Sequence, residues 1–129
     1  MGYELNFRAN TFIGDSTVSV ATTPIFVIST DGTSCNMPDG TNYSVGVASD
    51  LPPLASLTKV AYDGICKVTV DNAYPVGTFL MGAVGTGLGT QAYDSTNVNH
   101  LARGVTLQAS AVTGDIVAIR LIDSIGAKG

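Results

Sequence analysis

Few residues in this chain have the type and spacing that chemistry needs. The glycines of "VGTGLGT" (84–90) invite comparison with a phosphate cradle, in which backbone N–H groups and an adjoining helix N-terminus hold the anion. The dinucleotide pattern is Gly-x-Gly-x-x-Gly between a strand and a helix. Here the spacing is Gly85-x-Gly87-x-Gly89, and "QAYDSTNVN" after it has no helical pattern, so a flexible loop is expected. His100 is the only histidine. A Ser–His–acid site would have to use it, yet no Gly-x-Ser-x-Gly elbow accompanies it, and a structural role is expected. Cys35 and Cys66, the only cysteines, match no zinc spacing and are read as free, part-buried thiols. The acids Asp31, Asp39, Asp50, Asp63, Asp71, Asp94 and Asp115 fall mainly beside turns, where aspartate bonds its own backbone. Their spacing singles out no carboxylate pair of the kind that hydrolyses glycosides. The calcium-loop pattern is missing around "DSTNVN" (94–99). The expectation is therefore a protein that is not an enzyme, with no cofactor and no metal.

Composition points the same way. At 129 residues the chain is one domain's worth, and 45% apolar residues supply a core. Charged residues make up only 12%, about half the usual share, which favours a surface partly hidden against a partner. The net charge is −4, and the bases Arg8, Lys59, Lys67, Arg103, Arg120 and Lys128 are scattered along the sequence. Phosphate neutralisation needs clustered bases, so no direct nucleic-acid binding is expected. The N-terminal "MGYELNFRAN" has neither the basic nor the apolar region of a signal peptide, and Asn6 breaks the myristoylation pattern. No apolar run reaches the ~20 residues of a membrane helix. The expectation is synthesis in the cytoplasm and no membrane contact.

Positioning falls to strands. Helical periodicity is almost absent, and short β-rich runs bounded by Gly, Pro, Asn and Asp recur at 16–21, 24–29, 43–48, 57–62, 66–71, 77–84, 101–108 and 115–122. About eight short strands at this spacing predict an all-β fold, a small barrel or sandwich. Asp31-Gly32, Asp39-Gly40 and Asp63-Gly64 are turn signals. The last of them lies between two alternating runs and predicts a hairpin of 57–62 with 65–71. Residues 15–123 form the single β domain of this reading, and 124–129 a loose tail. Residues 1–14 are read in two ways, as an extended arm reaching a neighbouring chain or as the first strand of the domain's own sheet. The residues concerned are Tyr3, Leu5, Phe7, Phe12 and Ile13, the candidate partner-binding side chains. The connection 82–100 is long, polar and Gly-rich.

A pattern occurs twice. Gly46-Val47 opens one unit and Gly104-Val105 the other, each followed by a small-residue bend and a returning strand. Two related hairpin-like units packed as a pseudo-symmetric pair are expected.

With its surroundings, that repeat resembles a known family. "VGVASDLPPLASLTKVAYDG", then Tyr74-Pro75-Val76-Gly77, Gly104-Val105-Thr106-Leu107 and "AVTGDIV" (111–117) are similar, in order and spacing, to small bacteriophage capsid decoration (cement) proteins. The resemblance covers about 43–123. Pro52-Pro53 and Val112 depart from the family pattern, and the N-terminal third matches little. The resemblance implies a β-tulip-like barrel and a structural virion protein on the outer surface of an icosahedral head. Its partner would be the major capsid protein, whose neighbouring subunits it clamps, and it would form a homo-oligomer, a trimer in preference to a dimer. The alternative is a phage tail or fibre β-domain that binds a receptor or glycan, for which exposed aromatics would speak; tryptophan is absent.

Overall fold

Alternating β-branched residues broken by Asp-Gly and Pro signals leave strand pairing as the way to satisfy the backbone. The computed structural model describes residues 6–15, 18, 21–49, 57–92 and 101–122. Among these the fold is all-β. Nine strands occur: β1 (Asn6–Gly14), β2 (Ile25–Val27), β3 (Ser34–Cys35), β4 (Gly46–Ala48), β5 (Leu57–Thr69), β6 (Phe79–Gly82), β7 (Gly89–Gln91), β8 (Gly104–Thr106) and β9 (Ile116–Leu121). The main path runs β2-β4-β5-β9-β8-β6-β7 through antiparallel pairs. The sheet nearly closes into a small barrel, because Phe26 N–H donates to Gly87 O (2.8 Å) across the gap between its ends. Most of the strand run expected at 16–21, and the tail, lie outside the described residues; Val18 sits in a turn.

β5 corrects the expected hairpin. Asp63-Gly64 makes no turn; the chain continues as one 13-residue strand. An Asp-Gly pair supports either a turn or a bulge, since both use a glycine at positive φ. Gly64 has φ 101°, and a Cβ there would lie 2.2 Å from Asn6 O of the adjacent β1. Between Ala9↔Ala61 and Arg8↔Asp63 the register skips Tyr62, the extra residue of a β-bulge. Ala61 pairs with both Ala9 and Val47, and Ile65 with both Asn6 and Arg120. β1 therefore lines one edge of β5, while β4 and then β9 share the other. The bulge bends the strand where it changes neighbours.

The expected repeat is present and longer than its sequence suggests. Gly46-Val47 stands in β4 and Gly104-Val105 in β8, each antiparallel to the strand that returns. Each also pairs with a preceding strand: Phe26↔Val47 and Val27↔Gly46 on one side, Phe79↔Val105 and Leu80↔Gly104 on the other. Val45 N–H donates to Val27 O (3.0 Å), and Arg103 N–H donates to Leu80 O (2.8 Å). The order β2-β4-β5-β9-β8-β6 is thus two equivalent three-stranded units joined back to back. The barrel interior holds Phe26, Val47, Cys66, Val68, Leu80 and Ile119. A second cluster, with Ile25, Val27, Cys35, Ala48 and Val60, covers the outside of the first unit.

Candidate functional site

Three of the candidate acids, Asp31, Asp39 and Asp115, bond backbone within their own turns. Asp31 accepts the N–H groups of Thr33 and Ser34, both at 2.8 Å. Asp39 accepts those of Thr41 and Asn42 at 2.9 and 2.8 Å. The two loops are copies of one turn. The Ser34 and Thr33 N–H groups lower the Asp31 carboxyl to about 2, and the Asn42 and Thr41 N–H groups also lower Asp39. Asp115 is lowered in the same way by the N–H groups of Ala111 and Val112. These carboxylates are turn fasteners.

The thiols are free and fully buried rather than part-buried. Burial pushes Cys66 up to about 12, opposed by the nearby charge of Arg103, so the thiolate that a nucleophile requires is suppressed. The loop "VGTGLGT" is the turn between β6 and β7, and it leads into a strand, not a helix. His100 and residues 94–99 lie outside the described residues. Among the described residues no group of three His, Cys, Asp or Glu could hold a metal. Among the described residues, one surface depression of about 230 Å³ is lined by Pro75, Val76, Gly77, Thr78, Phe79 and Gln91.

Three of the five N-terminal candidates, Phe7, Phe12 and Ile13, fall on β1. Asn6–Gly14 pairs with β5 along its length, so over these residues the chain is a strand of the domain's own sheet. Phe7 packs at the barrel interior, Phe12 on the second cluster, and Ile13 is 49% exposed beside Leu57. Tyr3 and Leu5 lie outside the described residues. No residue of β1 is fully buried. Its outer edge meets β3 only at Ile13 and Gly14, where Ile13 N–H donates to Thr33 O (2.9 Å). Strand alternation points the N–H and C=O groups of Phe7, Ala9 and Thr11 the same way, and no described strand pairs with them. An open edge of this kind is a template for another strand.

No family model and no characterised protein matches the sequence. What the chain can do therefore rests on its own surfaces.

Arg103 is the residue that its scattered position in the sequence concealed. It is only 8% exposed. Its guanidinium donates to Ser44 O (3.0 Å), Ile122 O (2.8 Å), Tyr62 O (2.7 Å) and Val45 O (3.4 Å). The ring of Tyr43 lies 5.4 Å away, within cation–π range. These carbonyls lie between the start of β4 and the end of β9 along the same edge of β5, a gap that no described strand fills. Only a planar, five-donor side chain reaches so many of them at once. The signal in the sequence was a charge in the place that Val45 takes in the first unit.

Proposed function

We propose that this protein is a structural virion component, a decoration protein that binds the outer surface of an icosahedral phage head and joins adjacent major capsid protein subunits. The observation that carries the reading is β1: a strand with no fully buried residue, whose edge at Phe7, Ala9 and Thr11 pairs with no described strand. The resemblance to cement proteins covers the strands from β4 to β9 and agrees with it. Main-chain pairing at such an edge needs no chemistry, and many weak contacts on one shell reinforce each other through effective concentration. In this reading the free protein is a homo-oligomer, a trimer before a dimer.

The test is binding of purified protein to expanded shells at fixed stoichiometry. Ala9→Pro removes one outward N–H while sparing the bonds between β1 and β5. It is expected to weaken shell binding with little change in unfolding midpoint. Shells that take up both proteins equally would overturn the edge as the docking element, and a wild-type protein that ignores shells would overturn the function.

A further inference from the structure

The two units differ in what covers one equivalent face. In the first, Phe26, Val47 and Ala61 stand opposite each other across β2, β4 and β5, and all are fully buried in the barrel interior. The equivalent row in the second unit is Phe79↔Val105↔Arg120, and it continues to Ile65 of β5. Directly opposed residues share a sheet face, and this row points outward. Phe79 is 41% exposed, Arg120 is exposed, and Val105 and Ile65 are half-buried. One residue pair further along the same face stands Lys67, and one pair the other way Arg8 opposite Asp63.

Charge says what such a face would accept. The chain carries −4 overall, yet among the described residues this face gathers three cations, Arg8, Lys67 and Arg120, against one acid, Asp63. All three cations are exposed, and their side chains have no partner among the described residues. Cations set within and beside an apolar row complement a protein surface that carries carboxylates in and around an apolar patch. Three bases are too few to neutralise a nucleic-acid backbone.

We infer that the outer face centred on Arg120, with Phe79, Val105 and Ile65 as its apolar middle, docks an acidic protein surface, namely that of the shell subunit. This inference rests on the decoration reading above. Association is steered by the cations and held by the apolar row.

The experiment titrates the full chain onto shells built from the major capsid protein of the same genome, at low and high salt. Three variants accompany it: a Lys67→Glu/Arg120→Glu double, Arg120→Gln alone, and Lys59→Glu as an exposed charge reversal on the opposite face of β5. The double variant should lose about tenfold or more in affinity at low salt, Arg120→Gln should lose less, and Lys59→Glu should change little. Arg120→Gln keeps the test open should the double variant misfold. If wild type binds and all variants bind equally, this inference falls and the decoration function stands; if wild type does not bind, both fall. Loss of the free oligomer on charge reversal would assign the face to a second copy and overturn the inference. Tight, salt-sensitive binding to a short DNA duplex would overturn it as well.

Discussion

The units β2-β4-β5 and β6-β8-β9 have the same pairing and differ in what surrounds them. The first is buried on both sides: Phe26, Val47 and Ala61 face the barrel interior, while Ile25, Val27, Ala48 and Val60 face the second cluster. The second is buried on one side, with Leu80, Ile119 and Leu121 inside and the Arg120 row outside. Leu80 is the counterpart of Val27, so the second unit turns inward the face that the first turns outward. The bulge at Tyr62 makes this possible. It shifts the inward positions of β5 from Ala61 to Cys66 and Val68, and β9 pairs beyond it. A single extra residue inverts a face because side chains alternate with period two. Two copies of one design thereby became a core element and a surface element.

The largest expected effect comes from adding one more residue beyond the bulge. With Arg8↔Asp63 and Phe7↔Gly64 kept, an alanine inserted between Gly64 and Ile65 turns Ile65 into the barrel and Cys66 and Val68 out. The cooperative transition in denaturant should disappear, whereas deleting Tyr62 leaves Ala61 and Cys66 inside and should cost far less. Equal losses in the two variants would mean that the alternation of β5 does not set the faces.

Arg103→Met tests whether the units are independent. It strands the carbonyls of Ser44 and Tyr62, while Ile122 O keeps the Tyr43 O–H. The expected loss is about 3–5 kcal/mol by chemical denaturation. A loss below about 1 kcal/mol, the scale of one ordinary hydrogen bond, would show the seam to be held by other contacts.

The paired glycines sharpen the comparison. At Gly46, φ is 146° and a Cβ would sit 1.9 Å from Ala61 O; at Gly104 the nearest atom is the movable Ile119 Cδ1 at 2.8 Å. Gly46→Ala should cost roughly 2–4 kcal/mol and Gly104→Ala about half of that or less, measured as unfolding midpoints. Equal costs would mean that the two strand junctions are equally tight.

Smaller effects depend on pH. Asp31 titrates lower in the folded chain than in the unfolded one, so its contribution is complete above the unfolded value near 4 and fades as pH falls towards 2. Asp31→Asn should flatten the acid limb of the stability curve. Cys66 runs the other way: its folded value is raised to about 12, so its contribution is present below the unfolded value near 9 and is lost as pH rises through 12. Cys66→Ala should flatten the alkaline limb, and a thiol reagent should label neither cysteine before unfolding. Fast labelling of the native chain would contradict their burial.

Local chemistry was legible where the chain acts on itself. The turns at Asp31-Gly32 and Asp39-Gly40 are read from adjacent residues, because each carboxylate bonds backbone two and three positions on. Most strand positions follow from alternation. Asp63-Gly64 misleads because the same dipeptide serves a turn or a bulge, and the choice belongs to β1, far away in sequence. β1 itself alternates weakly, since no side of it is fully buried. The charge at Arg103 was visible against Val45 of the first unit, but its partners were not, because they come from three separate stretches.

The sequence by itself determined that this protein is made of short strands, which of its turns are fastened by aspartate, and that one pattern is used twice. Those features depend on neighbours within a few residues. Only the tertiary structure decided that β5 runs unbroken, that its bulge sends one unit's face inward and the other's outward, and that Arg103 fills the seam between them. Such outcomes depend on which distant strand occupies an edge, and nothing local to Asp63-Gly64, Arg103 or Arg120 encodes it.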